Sequence, residues 1–313
     1  MRTKTLLFFV SAFCLFCFSN CQPDELDSSI KTIDEVSDYE LVNGENDPNL
    51  SMSGTVSINF DRLKDSTATT KFVNRCIDVW YDMAITKYVH ANNKVLGINH
   101  VYDFDCSGFA GEIILKEVLP DHFKDLDRHR GTIPKSDTIE GGNLIITRPL
   151  AGSMYDYFRN DILESTDSIS ASNDFWMVFT SILMAKRGDL LVAWYDDIWR
   201  KKQNNSTTGH VMIVWDIDYN STTNEATIQV LDCSSSPHTP SIDTRSTYTH
   251  PYAIEIIGSN GEYHHRGIGF GKMTFKISTN KHNRPYAYTW SLKNANSEWY
   301  NLMSGDDITE SES

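Results

Sequence analysis

The order of apolar patterns along this chain predicts an α+β fold, with N-terminal helices packed on an antiparallel sheet. Three observations carry that expectation. Between Thr69 and about Ala91, Phe72, Cys76, Val79, Trp80, Met83 and Tyr88 fall on or near one helical stripe. Asp105-Cys106-Ser107-Gly108-Phe109-Ala110-Gly111-Glu112-Ile113-Ile114-Leu115 reads as a turn feeding a second amphipathic helix, which Pro120 ends. From Gly188 onward the runs become strand-like and are separated by polar loops.

Both ends of the chain are read apart from the fold. Arg2 and Lys4 precede an apolar run, Leu6 to Phe18, that is too short to span a bilayer as a stable helix. It closes in Phe18-Ser19-Asn20-Cys21. That resembles a bacterial lipoprotein signal over residues 1–20, with Cys21 acylated and made the new N-terminus. Gln22-Pro23-Asp24-Glu25 resembles the acidic tether of Bacteroidota lipoproteins. The resemblance implies a lipid-anchored protein at the outer membrane or cell surface. Residues 21–54 are acidic, rich in Ser, Asn and Asp, and read as a solvated tether. Residues 301–313 form an acidic tail.

Between these ends, one domain is expected over residues 55–300. The sequence is 40% apolar and 12% aromatic over 313 residues, enough for a proper core. Net charge is −14, and losing Arg2 and Lys4 takes it to −16, which argues against a nucleic-acid partner. Val56 to Phe60 alternates as a short strand, the helix from Thr69 follows, and Asn92 to Asp105 is an irregular approach carrying Tyr102. Past Pro120 the pattern weakens, and residues 120–173 read as an insertion or lid. Ser153 to Leu163 within it is helical, burying Met154, Tyr157, Phe158 and Ile162. Asp174 is read as the N-cap of a further helix through Ala185. Strands follow at Gly188–Trp194, Gly209–Trp215, Ala226–Leu231 and Lys272–Ile277. Gly267-Ile-Gly-Phe-Gly271 opens the last of these, its glycines read as turn and bulge positions rather than a phosphate loop.

The chemistry centres on Cys106. At a helix N-terminus, unpaired backbone N–H groups and the helix dipole favour thiolate, the form that attacks carbonyl carbon. Ser107 and Gly108 leave room for a substrate carbonyl beside backbone donors. His210, on the Gly209-His210-Val211 strand, supplies a base, and Asp232 would accept from its far ring nitrogen. His238 is the rival third residue, although it lies beyond the strand and behind Pro237. With Cys14 and Cys17 in the signal and Cys21 lipidated, Cys76, Cys106 and Cys233 remain. That odd set suggests one reactive thiol, with a Cys76–Cys233 disulfide left open. His238, His264 and His265 lack HExxH or CxxC companions, so no metal or other cofactor is expected.

Three blocks in order, Asp105-Cys106-Ser107-Gly108-Phe109, Arg187-Gly188-Asp189-Leu190-Leu191 and Gly209-His210-Val211-Met212-Ile213-Val214, resemble the NlpC/P60 cysteine peptidase family over about residues 70 to 280. The resemblance implies a papain-like α+β fold and a catalytic set of Cys106, His210 and Asp232, where many relatives carry His at the third position. It implies a hydrolase cleaving amide bonds in peptides or peptidoglycan fragments. A family role for a tyrosine beside the thiol falls to Tyr88 or Tyr102, with Ser107 near the substrate. The usual Tyr-x-Trp-Gly-Gly approach is absent. The same residue order also serves transglutaminase-like acyl or amine transfer, and a non-catalytic surface binding module keeps the groove for ligand alone.

Overall fold

A computed structural model describes residues 5–12, 61–64, 66–88, 96–98, 100–130, 132–134, 143–145, 148–163, 169–195, 209–235, 237–238, 242–245, 255–257, 263–279, 283–289 and 300–301. The expected strand at Val56–Phe60, the tether, Cys21 and nearly all of the acidic tail lie outside these residues.

The elements in chain order are strand β1 (Thr5–Ala12), helix α1 (Ala68–Asp82) and strands β2 (Ile85–Tyr88), β3 (Leu96–Ile98) and β4 (Val101–Phe104). Helix α2 follows, comprising Gly108–Leu115 with the wide i→i+5 winding of a π-helix and then Lys116–Val118. Next come α3 (Pro120–Asp127), β5 (Thr132–Pro134), β6 (Asn143–Ile145) and α4 (Ala151–Asp156), which runs on through Tyr157–Ile162. Strands β7 (Ser170–Ser172), β8 (Trp176–Phe179), β9 (Leu190–Tyr195), β10 (Gly209–Asn220), β11 (Glu225–Ser234), β12 (Glu255–Ile257), β13 (Tyr263–His265), β14 (Gly267–Ser278), β15 (Arg284–Thr289) and β16 (Tyr300–Asn301) complete the chain. This is α+β, with a nine-stranded sheet ordered β16-β15-β14-β11-β10-β9-β1-β8-β7. Every pairing in that sheet is antiparallel except those of β1, which lies parallel to both β8 and β9. The sequence reading gives β1 to the signal segment; removal of residues 1–20 would take it out of the sheet. Among the described residues no helix is long and apolar enough to cross a membrane.

Strand alternation builds two cores. Leu190 and Val192 of β9, Val211, Ile213 and Trp215 of β10 and Leu231 and Cys233 of β11 face a cluster with Phe72, Val73, Cys76 and Val79 of α1 and Phe109, Ile114 and Leu115 of α2. Leu191, Met212, Val214, Ile228 and Val230 enter the other cluster, with Met273, Phe275 and Ile277 of β14. Burial of this kind stabilises by roughly 25 cal/mol per Å² of apolar surface.

Several local expectations change. Helix α1 stops at Asp82, because Met83 turns extended and Ile85–Tyr88 pairs in parallel with Val101–Phe104. Asn92–Asp105 therefore holds two strands where an irregular approach is expected. The helix expected from Asp174 is instead strand β8 and a 3₁₀ turn at Ile182–Met184. Asn173 Oδ1 accepts from the N–H groups of Phe175 and Trp176, forming a turn, and Trp176, Val178 and Phe179 are buried against neighbours, so strand pairing overrides helical spacing. Pro120 not only follows α2 but occupies the first turn of α3, where its missing N–H costs nothing. The glycine run from Gly267 lies inside β14 rather than ahead of it. The described residues of the 120–173 span pack into the domain. Asp125 of α3 accepts from Tyr157 Oη at 2.5 Å and from Trp176 Nε1 at 3.0 Å, tying α3, α4 and β8 together.

Candidate active site

Antiparallel pairing brings the start of β10 beside the end of β11, so His210 and Asp232 meet at one end of the sheet. His210 Nε2 lies 2.5 Å from Asp232 Oδ2. An ionised carboxylate can only accept, so Nε2 carries the proton. That leaves Nδ1 for Cys106, to which the His210 ring is also hydrogen-bonded. Cys106, His210 and Asp232 are thus one buried chain, at 4%, 4% and 0% exposure. Burial lowers the affinity of the His210 ring for a proton. The charge of Cys106, the hydrogen bonds to Asp232 and Cys106 and the charge of Asp232 outweigh burial and raise its pKa to about 9.

Cys106 opens the helical turn that leads into α2, two residues ahead of its π-wound stretch. Asp105 caps the helix. Its Oδ1 accepts from Gly108 N at 2.8 Å, and its carbonyl accepts from Phe109 N at 2.9 Å. Arg148, from the 120–173 span, donates through Nη2 to Asp105 Oδ2 at 2.8 Å and through Nη1 to Ser107 Oγ at 2.6 Å. Ser107 Oγ in turn donates to Asp105 Oδ1 at 3.0 Å. A Cβ on Gly209 would stand 3.4 Å from Ala151 Cβ, so α4 lies against the start of the His210 strand. The span read as an insertion or lid thus supplies a buried arginine that holds the two residues flanking Cys106.

On the far side of Asp232 is a second network. His238 Nε2 lies 2.9 Å from Asp232 Oδ2, the same oxygen that serves His210. Arg245 Nη1 donates to Asp232 Oδ1 at 2.9 Å. Arg245 Nε and Nη2 donate to Asp243 Oδ1 and Oδ2 at 2.9 and 2.8 Å, and Asp243 Oδ2 also accepts His238 N at 2.8 Å. Burial alone would raise the Asp232 pKa. Arg245 and His238, with the hydrogen bonds from His210 and His238, hold it well below the usual carboxylate range.

Of the residues singled out from the sequence, Cys106, His210 and Asp232 therefore come together. His238, read as the rival third residue, lies on Asp232 as a second imidazole partner. Ser107 is 2% exposed with its hydroxyl engaged by Asp105 and Arg148, which gives it a place in the frame of the site rather than at the substrate. The N–H of Gly108 is likewise taken by Asp105. Tyr102 donates its hydroxyl to Asp82 Oδ2 at 2.6 Å, and burial and that carboxylate push its pKa up. Tyr88 is half-buried and packs against the helix-side core. Cys76 and Cys233 are free, so the disulfide left open by the sequence is not formed. Burial pushes both thiols well up, which keeps them protonated and unreactive.

Arg148, Asp105, Asp243 and Arg245 were not singled out. Two signals stand in the sequence. An Asp immediately before a helix is an N-cap signature. Alternate glycines in a strand mark a close approach. A Cβ on Gly269 would lie 2.7 Å from Arg245 Nε, and one on Gly271 would lie 2.7 Å from His238 Cδ2.

Ligand atoms of His210, Asp232 and His238 lie within 4.8 Å of one another, close enough to gather a metal ion. The donor set fits hydrogen bonding better. Both imidazole nitrogens already meet one carboxylate oxygen as N–H donors, and the Arg245 guanidinium on the other oxygen repels a second cation.

Compared with models of known families, with curated proteins and with solved structures, the chain gives no match.

Proposed function

We propose that the chain is a cysteine hydrolase of papain-like, NlpC/P60-type architecture that cleaves amide bonds in cell-wall-type peptides, held at the outer membrane or cell surface by lipid on Cys21. The observation that supports this is the buried Cys106–His210–Asp232 chain with Cys106 at a helix start. His210 Nδ1 holds the proton given up by the thiol, and the thiolate attacks the amide carbon. A C–S bond forms as the carbonyl opens to an oxyanion. Collapse breaks the C–N bond while the imidazolium returns its proton to the leaving amine. In the second half His210 takes a proton from water, the resulting hydroxide attacks the acyl carbon, and the C–S bond breaks to give a carboxylic acid and the starting thiolate. Asp232, ionised throughout, holds the ring in the Nε2–H tautomer.

Incubation with peptidoglycan fragments and mass spectrometry of the products tests the reading. Wild type should release one new amine per cleavage and Cys106→Ala should release none. An adduct carrying an added amine would move the reaction to acyl transfer. Iodoacetamide at mildly acidic pH should label Cys106; labelling at Cys76 or Cys233 in its place would refute the nucleophile assignment. Cys21→Ser should release the protein from membranes, and a variant still membrane-bound would sink the lipid anchor.

A further inference from the structure

Asp232 Oδ2 is shared by two imidazoles, which a catalytic carboxylate does not require. His210 approaches at 2.5 Å and His238 at 2.9 Å, both through Nε2, with the rings tilted by 68°. The groups facing His210 come from three places: Cys106 at the start of α2, Asp232 on β11, and His238 in the loop after β11, backed by Asp243 and Arg245. Room for that loop is made by Gly269 and Gly271 of β14, Gly269 being the cross-strand neighbour of Asp232.

Arg245 alone would not aim the carboxylate. Its Nη1 holds Oδ1, and its remaining side-chain donors go to Asp243 and the Gly267 carbonyl. With only that contact, the carboxylate can rotate about χ2 and carry Oδ2 off the line to His210. The Nε2–H of His238 on Oδ2 opposes that rotation. Its own placement is fixed by the His238 N–H bond to Asp243 and by the absence of a side chain at Gly271. We propose that His238 is a positioning residue that pins Asp232 Oδ2 between two imidazoles, keeping His210 in the Nε2–H tautomer with Nδ1 turned to Cys106. The proposal rests on Cys106 and His210 being the reacting pair.

The test is the pH dependence of iodoacetamide alkylation at Cys106, read by peptide mass spectrometry in the full chain, with His238→Asn set against His238→Gln. The Gln amide nitrogen superposes on Nε2 and can still donate to Oδ2, whereas the Asn nitrogen superposes on Nδ1 and falls short. His238→Asn should slow alkylation near pH 7 by roughly tenfold and move the alkaline limb of the profile to lower pH, as His210 loses its acceptor. His238→Gln should restore both. Circular dichroism confirms that each variant is folded; if Asn does not fold, a folded Gln variant must still keep the wild-type limb. Asn and Gln variants that both match wild type overturn the proposal, as does a Gln variant as impaired as Asn. If instead His210→Ala leaves wild-type alkylation unchanged, the reacting-pair reading fails, and it fails separately from the role of His238.

Discussion

At the Cys106 end of the site one guanidinium meets one carboxylate; at the His210 end one guanidinium meets two. Arg148 and Asp105 balance each other, and Asp105 spends its other bonds on the Gly108 N–H and the Ser107 hydroxyl. That centre is neutral and shapes the helix start. Arg245 faces both Asp232 and Asp243, which leaves one unit of formal negative charge, wholly buried, beside His210. The difference teaches how one fold separates two tasks. A balanced pair chiefly fixes geometry, whereas an unbalanced one also adds negative charge beside the adjacent histidine. The raised pKa of His210 comes against burial, first from the charge of Cys106 and then from the hydrogen bond and charge of Asp232.

Removing the two arginines in turn is the strongest way to break this comparison. Arg245→Met strands two buried carboxylates and should cost about 3–5 kcal/mol in urea unfolding, or prevent folding altogether. Arg148→Met strands one carboxylate that keeps two other donors, so we expect a smaller loss, roughly 2–3 kcal/mol. Equal losses would mean that the charge count does not govern stability here.

Asp232→Asn sharpens the catalytic half. The carboxylate is gone but the shape remains, and we expect kcat to fall roughly 10- to 1,000-fold, less than the ~10⁴ of a serine triad because the thiol ionises more readily. The same change should show in stability. A histidine raised from 6.5 to about 9 adds stability that is complete below its unfolded value and is lost as pH rises through about 9. Wild type should therefore weaken between those limits, and Asp232→Asn should flatten that decline. A decline of equal size in the variant would show that the charge of Cys106 alone raises the ring.

The smallest effect expected is at a buried aspartate outside the site, Asp189. Asp189 accepts Lys186 N at 2.7 Å, yet burial outweighs that bond and the Lys186 charge and raises its pKa to about 8. Its folded form prefers the proton, so its contribution is present below 3.8 and is lost as pH rises toward 8. Asp189→Asn keeps the acceptor and should gain about 1–2 kcal/mol at pH 8 and little at pH 4 in the same unfolding assay. A loss at pH 8 would show that the carboxylate there is held ionised after all.

What the sequence determined by itself was local. The apolar stripe of α1, the strand alternation from Leu190 to Ile277 and the Asp-Cys-Ser-Gly-Phe turn into a helix each follow from a repeat of 3.6 or 2 residues or from a cap, and these are short-range physics. Joined to the resemblance of three blocks to the NlpC/P60 family, they pointed to Cys106, His210 and Asp232. Tertiary structure decided the rest. The segment from Trp176 carries helical spacing but became a strand, because pairing with β7 and burial of Trp176 outweigh a propensity of a few tenths of a kcal/mol per residue. Arg148 meets Asp105 across 43 residues and Arg245 meets Asp232 across 13, through loops that have no periodicity to read. Their partners are set by which buried charges lack a counter-charge once the chain has closed, and that demand arises only in the folded interior, where water no longer solvates them.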